Sequence, residues 1–164
     1  MKFSSIARRS ALACVLASGL ALTACATGGT ATLTDEQKAN RAYMSQANET
    51  MVELDGSLGS FIDAVSRGDV VNMKTQADNA YKTLDKLSEL EAPESLADVQ
   101  KKYDEGAQKL EEALDAYIQL YAEADKAGKN FDWSRYDERI KEIQELYDSG
   151  VKALEEGDKA ASEA

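Results

Sequence analysis

The chain has 164 residues, 30 acidic against 19 basic side chains, a formal net charge of −11, and no histidine. Such an acid balance argues against nucleic acid, whose phosphates call for clustered lysine and arginine. Without histidine, neither a Ser/His or Cys/His nucleophile system nor the Glu-x-x-His ligands of a di-iron bundle can be built.

Residues 1–24 have the zones of a secretory signal. Lys2, Arg8 and Arg9 make a basic start, and residues 11–22 supply a run of small and apolar side chains. That run is too short for a bilayer core, which takes roughly twenty residues. It ends in Leu22-Thr23-Ala24-Cys25. This phrase resembles the lipobox of bacterial lipoproteins, and the resemblance, which covers residues 1–25, implies cleavage before Cys25 and lipidation of its thiol. Two or three acyl chains would hold durably where one holds marginally, at about 0.8 kcal/mol per buried methylene. The alternative is a secreted protein with a chance cysteine. Arg8-Arg9 also admits twin-arginine export, but Ser10-Ala11-Leu12 fits that pattern loosely, so ordinary export is expected.

Processing would remove three cations and no acid, taking the net charge from −11 to −14 over 140 residues. Cys14 would leave with the signal and Cys25 would carry lipid. The domain would then have no disulfide and would depend on packing alone.

Residues 25–33 read as the lipidated cysteine and a flexible tether, 34–157 as a helical domain, and 158–164 as a frayed tail. Thr34-Asp35-Glu36-Gln37 is a capping box. Behind it, Tyr43, Ala47, Met51, Leu54, Leu58, Phe61, Ile62 and Val65 form one apolar stripe. Gly56 and Gly59 interrupt that helix, so a close neighbour or a bend is expected there. Arg67-Gly68-Asp69 reads as a helix stop and an N-cap; those two jobs account for the adhesion-like tripeptide. The second helix carries Val70, Met73, Ala77, Ala80, Tyr81, Leu84, Leu87 and Leu90, and stops before Pro93.

Pro93 suits the first turn of a third helix, whose face holds Leu96, Val99, Tyr103, Ala107, Leu110, Leu114, Tyr117, Tyr121 and Ala124. Gly128 should close it. Asp132 can cap a fourth helix, with Phe131 and Tyr136 spaced as a hydrophobic staple and Ile140, Ile143, Tyr147, Val151 and Leu154 continuing the stripe. Residues 100–112 and 144–156 share seven of thirteen identities at an offset of 44. The common Tyr-Asp-x-Gly suggests a repeated detail in which a glycine makes room for a ring.

These elements predict an all-α fold, an antiparallel four-helix bundle running up-down-up-down, because short connections force neighbours to alternate direction. The bundle is similar to small helical lipoproteins of bacterial envelopes, a likeness that rests on the lipobox, the architecture and the Leu-x-Ala-Pro-Glu-x-Leu phrase ending in Leu96. It brings no catalytic residues. The seven tyrosines lie on apolar faces, so they line either a ligand groove or the core. Phe131 and Trp133 flank Asp132 in a loop, as partner anchors or as staple and helix-end packing. Lys101/Glu105, Glu105/Lys109 and Lys141/Glu145 are spaced as surface ion pairs. No calcium loop, metal set, cofactor motif or phosphate-cradling loop is present. The expected activity is therefore non-enzymatic: a membrane-anchored binding or scaffolding module for an envelope protein, or alternatively a carrier of a small apolar or cationic ligand between the helices.

Overall fold

The computed structural model describes residues 33–163; the signal segment, Cys25 and the tether up to residue 32 lie outside them. The Thr34 hydroxyl accepts from the Gln37 amide at 3.2 Å, and the Gln37 side chain accepts from the Thr34 amide at 3.0 Å. Two donors that a helix start leaves unpaired are thereby satisfied, and α1 (Asp35–Arg67) begins. It ends at Gly68, whose φ of 66° a side chain would resist. Asp69 then accepts from the Asn72 amide and starts α2 (Val70–Ser88).

α2 stops two residues short of Leu90, which packs half-buried in the connection. Pro93 precedes a single 3-10 turn, Glu94–Leu96, instead of entering the first turn of α3 (Ala97–Ala127). Gly128 closes α3, and 3-10 turns at Gly128–Asn130 and Trp133–Arg135 lead into α4 (Tyr136–Glu163). All four elements are helical, and no strand occurs among the described residues. None of the described helices is long and apolar enough to cross a membrane.

The predicted stripes of the first three helices supply most of one hydrophobic core, whereas that of α4 is buried only at Leu154: Tyr147 and Val151 pack half-buried against the core, and Tyr136, Ile140 and Ile143 stay half-buried outside it. Leu54, Leu58 and Phe61 come from α1, Met73, Leu84 and Leu87 from α2, Tyr103, Leu110 and Leu114 from α3, and Leu154 from α4. Each such side chain contributes about 1.5–3 kcal/mol when fully withdrawn from water. α3 packs most extensively on α4, and α2 lies against both α1 and α3.

The α3–α4 contact is the most extensive among the described helices, and glycines let the two backbones approach. A methyl at Gly106 would stand 2.5 Å from a Leu154 methyl and 3.0 Å from the Gly150 carbonyl. One at Gly150 would stand 2.8 Å from Leu110 and 3.1 Å from the Gly106 carbonyl. The 44-residue similarity is thus reciprocal in space, each leucine covering the other helix's glycine. No ring occupies either place. The glycine that yields to a ring is Gly157, where a methyl would stand 2.5 Å from Tyr103.

Gly157 also explains a correction. Residues 158–163, expected to fray, continue α4. Their small side chains suggested a loose end, yet small size is what lets α4 run on past the Tyr103 ring. Asp158 then accepts from the Tyr103 hydroxyl at 2.7 Å. By contrast, Gly56 and Gly59 face open space, and α1 continues through both.

Two bonds locate the chain's entry. Ser95 donates to Asn40 at 3.0 Å and Tyr43 donates to Gln100 at 2.9 Å, so the start of α1 lies beside the start of α3. The loop between α3 and α4 is at the other end of α3, whose 31 residues rise about 46 Å at 1.5 Å each.

Candidate functional site

The loop at that far end is built on Asp132, whose Oδ1 accepts from the Ser134 amide at 3.0 Å and from its hydroxyl at 2.6 Å. These donors hold the Asp132 carboxyl below the usual carboxylate range. The fixed turn presents Phe131, Trp133 and Tyr136 as one stack. Phe131 meets Trp133 edge-on at a centroid distance of 4.8 Å, Phe131 meets Tyr136 at 6.3 Å, and Trp133 meets Tyr136 at 5.2 Å. The expected staple between Phe131 and Tyr136 is therefore present, with Trp133 packed on both. Even so, Trp133 stays 54% exposed.

Charge frames the stack. Lys126 and Lys129 are exposed in or beside the loop and make no ion pair among the described residues. Arg135 pairs with Glu138 at 3.6 Å. Arg139 binds Glu123 and joins the start of α4 to the end of α3; that bond lowers the Glu123 carboxyl. A cage for an organic cation needs ring faces turned to a shared gap, each within about 6 Å of the charge. Here the rings touch one another and leave no gap.

The tyrosines divide between core and rim. Tyr43 and Tyr103 are buried; Tyr81, Tyr117, Tyr121, Tyr136 and Tyr147 are half-buried. Burial, with Asp104 nearby, pushes the Tyr43 hydroxyl up to about 12, and burial beside Asp55 and Asp148 takes Tyr147 to about 12. Burial raises Tyr103 further, helped by Asp158, and raises Tyr81, which donates to Asp115 at 2.5 Å. Tyr117 meets Phe61 edge-on at 5.7 Å. These rings pack on protein and do not line a shared groove.

A shallow, open groove of about 450 Å³ runs between α1 and α2, lined by polar groups that include Glu53, Ser57, Ser60, Gln76, Asn79 and Lys82. In Arg67-Gly68-Asp69, Arg67 binds Asp63 and both Asp69 oxygens are taken by Asn72. The tripeptide is thus occupied with making the turn. Among the described residues, no three His, Cys, Asp or Glu side chains are placed to hold a metal ion.

Of the expected ion pairs, Lys109–Glu105 (2.7 Å) and Lys141–Glu145 (3.3 Å) form, while Glu105 takes Lys102 in place of Lys101. Lys102 also reaches Glu156 of α4, which the helix-local spacing rule could not reveal. The Tyr103–Asp158 bond was equally hidden, because nothing near either residue in sequence signals the other. Cys25 lies outside the described residues.

The chain matches no known protein family, no curated protein and no solved structure.

Proposed function

We propose that the chain is a lipoprotein of the bacterial envelope, held through lipid on Cys25 at the extracytoplasmic side of a membrane, and that its bundle is a non-enzymatic binding or scaffolding module. The helices are taken to run up-down-up-down. Supporting this, Lys102 near the start of α3 bonds Glu156 late in α4, and Lys109 bonds Ser149. Glu123 late in α3 bonds Arg139 early in α4.

One observation carries the binding reading. Trp133 is the chain's only tryptophan, is held in an ordered stack, and is left more than half open at the end opposite the chain's entry. Exposed large aromatics of this kind concentrate interface energy. The α1–α2 groove is open and lined by polar side chains, and its one carboxylate, Glu53, is paired with Lys86, so neither the apolar nor the cationic cargo of the carrier reading draws support from it.

The anchoring is tested with Cys25→Ser, which should abolish lipid labelling and release the protein from the membrane fraction. Binding is tested with Trp133→Ala by crosslinking in intact cells. Partner capture should fall while helicity and anchoring stay unchanged. Loss of helicity would make Trp133 a packing residue, and unchanged capture would place the contact elsewhere.

A further inference from the structure

We infer that the open groove between α1 and α2 binds a segment of neutral glycan. This site is separate from the loop at Trp133 and goes beyond the contact reading. The first argument is composition. Charged side chains make up 30% of the chain, yet the groove is lined mainly by the neutral hydroxyls and amides of Ser57, Ser60, Gln76, Asn79 and Thr83. Its volume of about 450 Å³ falls within the range of small-ligand sites, about 300–1,000 Å³, but those are mostly apolar. An apolar occupant would leave these groups unpaired, at the full cost of desolvating each. Nor is an ion selected. Glu53 is paired with Lys86, and Lys82 lies a turn from both Asp78 and Asp85 on α2. Those acids outnumber the two lysines by a single negative charge.

The second argument is the pattern of free donors and acceptors. The Ser60 hydroxyl and the Lys82 ammonium have no partner among the described residues, and the Gln76 amide accepts from Asn79 at 3.3 Å but donates to nothing. These three supply donors. Ser57 and Thr83 donate to the Glu53 and Asn79 main-chain carbonyls, at 3.0 Å each. Their hydroxyl oxygens stay free to accept, as does the Asn79 side-chain carbonyl. Thr83 is only 8% exposed, which puts it at the floor. A sugar hydroxyl both donates and accepts, so a run of them suits this interleaved set. The third argument is Gly56. Gly106, Gly150 and Gly157 each make room for a leucine or tyrosine of another helix, whereas a methyl at Gly56 would meet nothing. Glycine weakens a helix interior, and close approach of backbone to a ligand is one of its uses. On the groove wall it lets a flat pyranose ring lie against α1.

The test titrates the full, isotope-labelled chain in detergent micelles with chitotetraose and with maltotetraose, neutral glycans with and without acetamido groups. Heteronuclear NMR is the readout. The main-chain amides of Gly56 and Ser60 and the side-chain amides of Gln76 and Asn79 should shift and saturate at millimolar sugar, because the groove is shallow and offers no ring to stack on. The Trp133 indole should not move. Asn79→Ala should weaken binding about fivefold, the worth of one hydrogen bond. Gly56→Leu fills the groove where no neighbour opposes it, and should abolish binding with the circular dichroism spectrum unchanged. Should Gly56→Leu lose helicity, Asn79→Ala decides, and an unchanged affinity there overturns the inference. Saturation by either sugar supports it, and the difference between the two tells whether the acetamido group is read. Absence of saturable shifts with both sugars, or undiminished binding by folded Gly56→Leu, overturns it. Either result leaves the Trp133 reading standing, because capture in intact cells judges that one.

Discussion

Gly56 and Gly106 both sit inside long helices, yet a methyl group would meet nothing at the first and the Leu154 side chain at the second. Substitution should therefore have opposite signs. Gly56→Ala removes backbone freedom from the unfolded chain and should stabilise by about 0.5–1 kcal/mol. Gly106→Val must push Leu154 and the Gly150 carbonyl aside and should destabilise by about 1–3 kcal/mol. Urea melts followed by circular dichroism read both. A shared sign would mean that packing does not distinguish the two glycines. From sequence the two were indistinguishable, because glycine records the absence of a side chain and not what fills the space.

At the scale of the helix, the legible features were those with local causes. The Thr34–Gln37 box, the Gly68–Asp69 stop and start, and the apolar stripes of the first three helices each depend on residues a turn or two apart, and each is found in place, while Ile140 and Ile143 of the α4 stripe stay half-buried outside the core. The ends were misread where a distant partner decides them. α4 outlasts its apolar stripe because Tyr103 and Asp158, 55 positions apart, are bonded, and no local pattern carries that information. In the same way, the phenylalanine–tyrosine staple at the loop was legible from spacing. The openness of Trp133 was not, since exposure depends on what else packs there. Removing residues 158–163 should lower stability by about 1.5–3 kcal/mol, the worth of one hydrogen bond to a carboxylate, and shift the thermal midpoint downward. An unchanged midpoint would return those residues to the role of a frayed tail.

For the whole molecule, burial raises Tyr43, Tyr81, Tyr103, Tyr117 and Tyr147 above the ordinary tyrosine value, with Tyr43 and Tyr147 near 12. The unfolded chain ionises its tyrosines at about 10. Below that pH both states are protonated and the groups are neutral to stability. Above it the unfolded state releases protons that the bundle retains, so stability falls as pH rises towards the folded values. The bundle should accordingly lose helicity cooperatively in alkali, with tyrosinate absorbance appearing in the same transition. Tyrosinate forming at about 10 while the helices persist would mean that the rings are open to water.

The chain's entry beside Tyr43 and the loop at Trp133 lie at opposite ends of α3, and this has a mechanical consequence. If Cys25 is held by one surface and Trp133 by another, tension between them runs along the helix axes. The contacts of α1 with α2, and of α2 with α3, are then loaded in shear, where many side chains must slip together. Peeling would part them one turn at a time. The same bundle should resist a lengthwise pull far better than a pull that draws its two termini apart, because Leu33 and Glu163 lie at one end and a force between them draws α1 from α4, a pair that packs far less than α1 with α2 or α3 with α4.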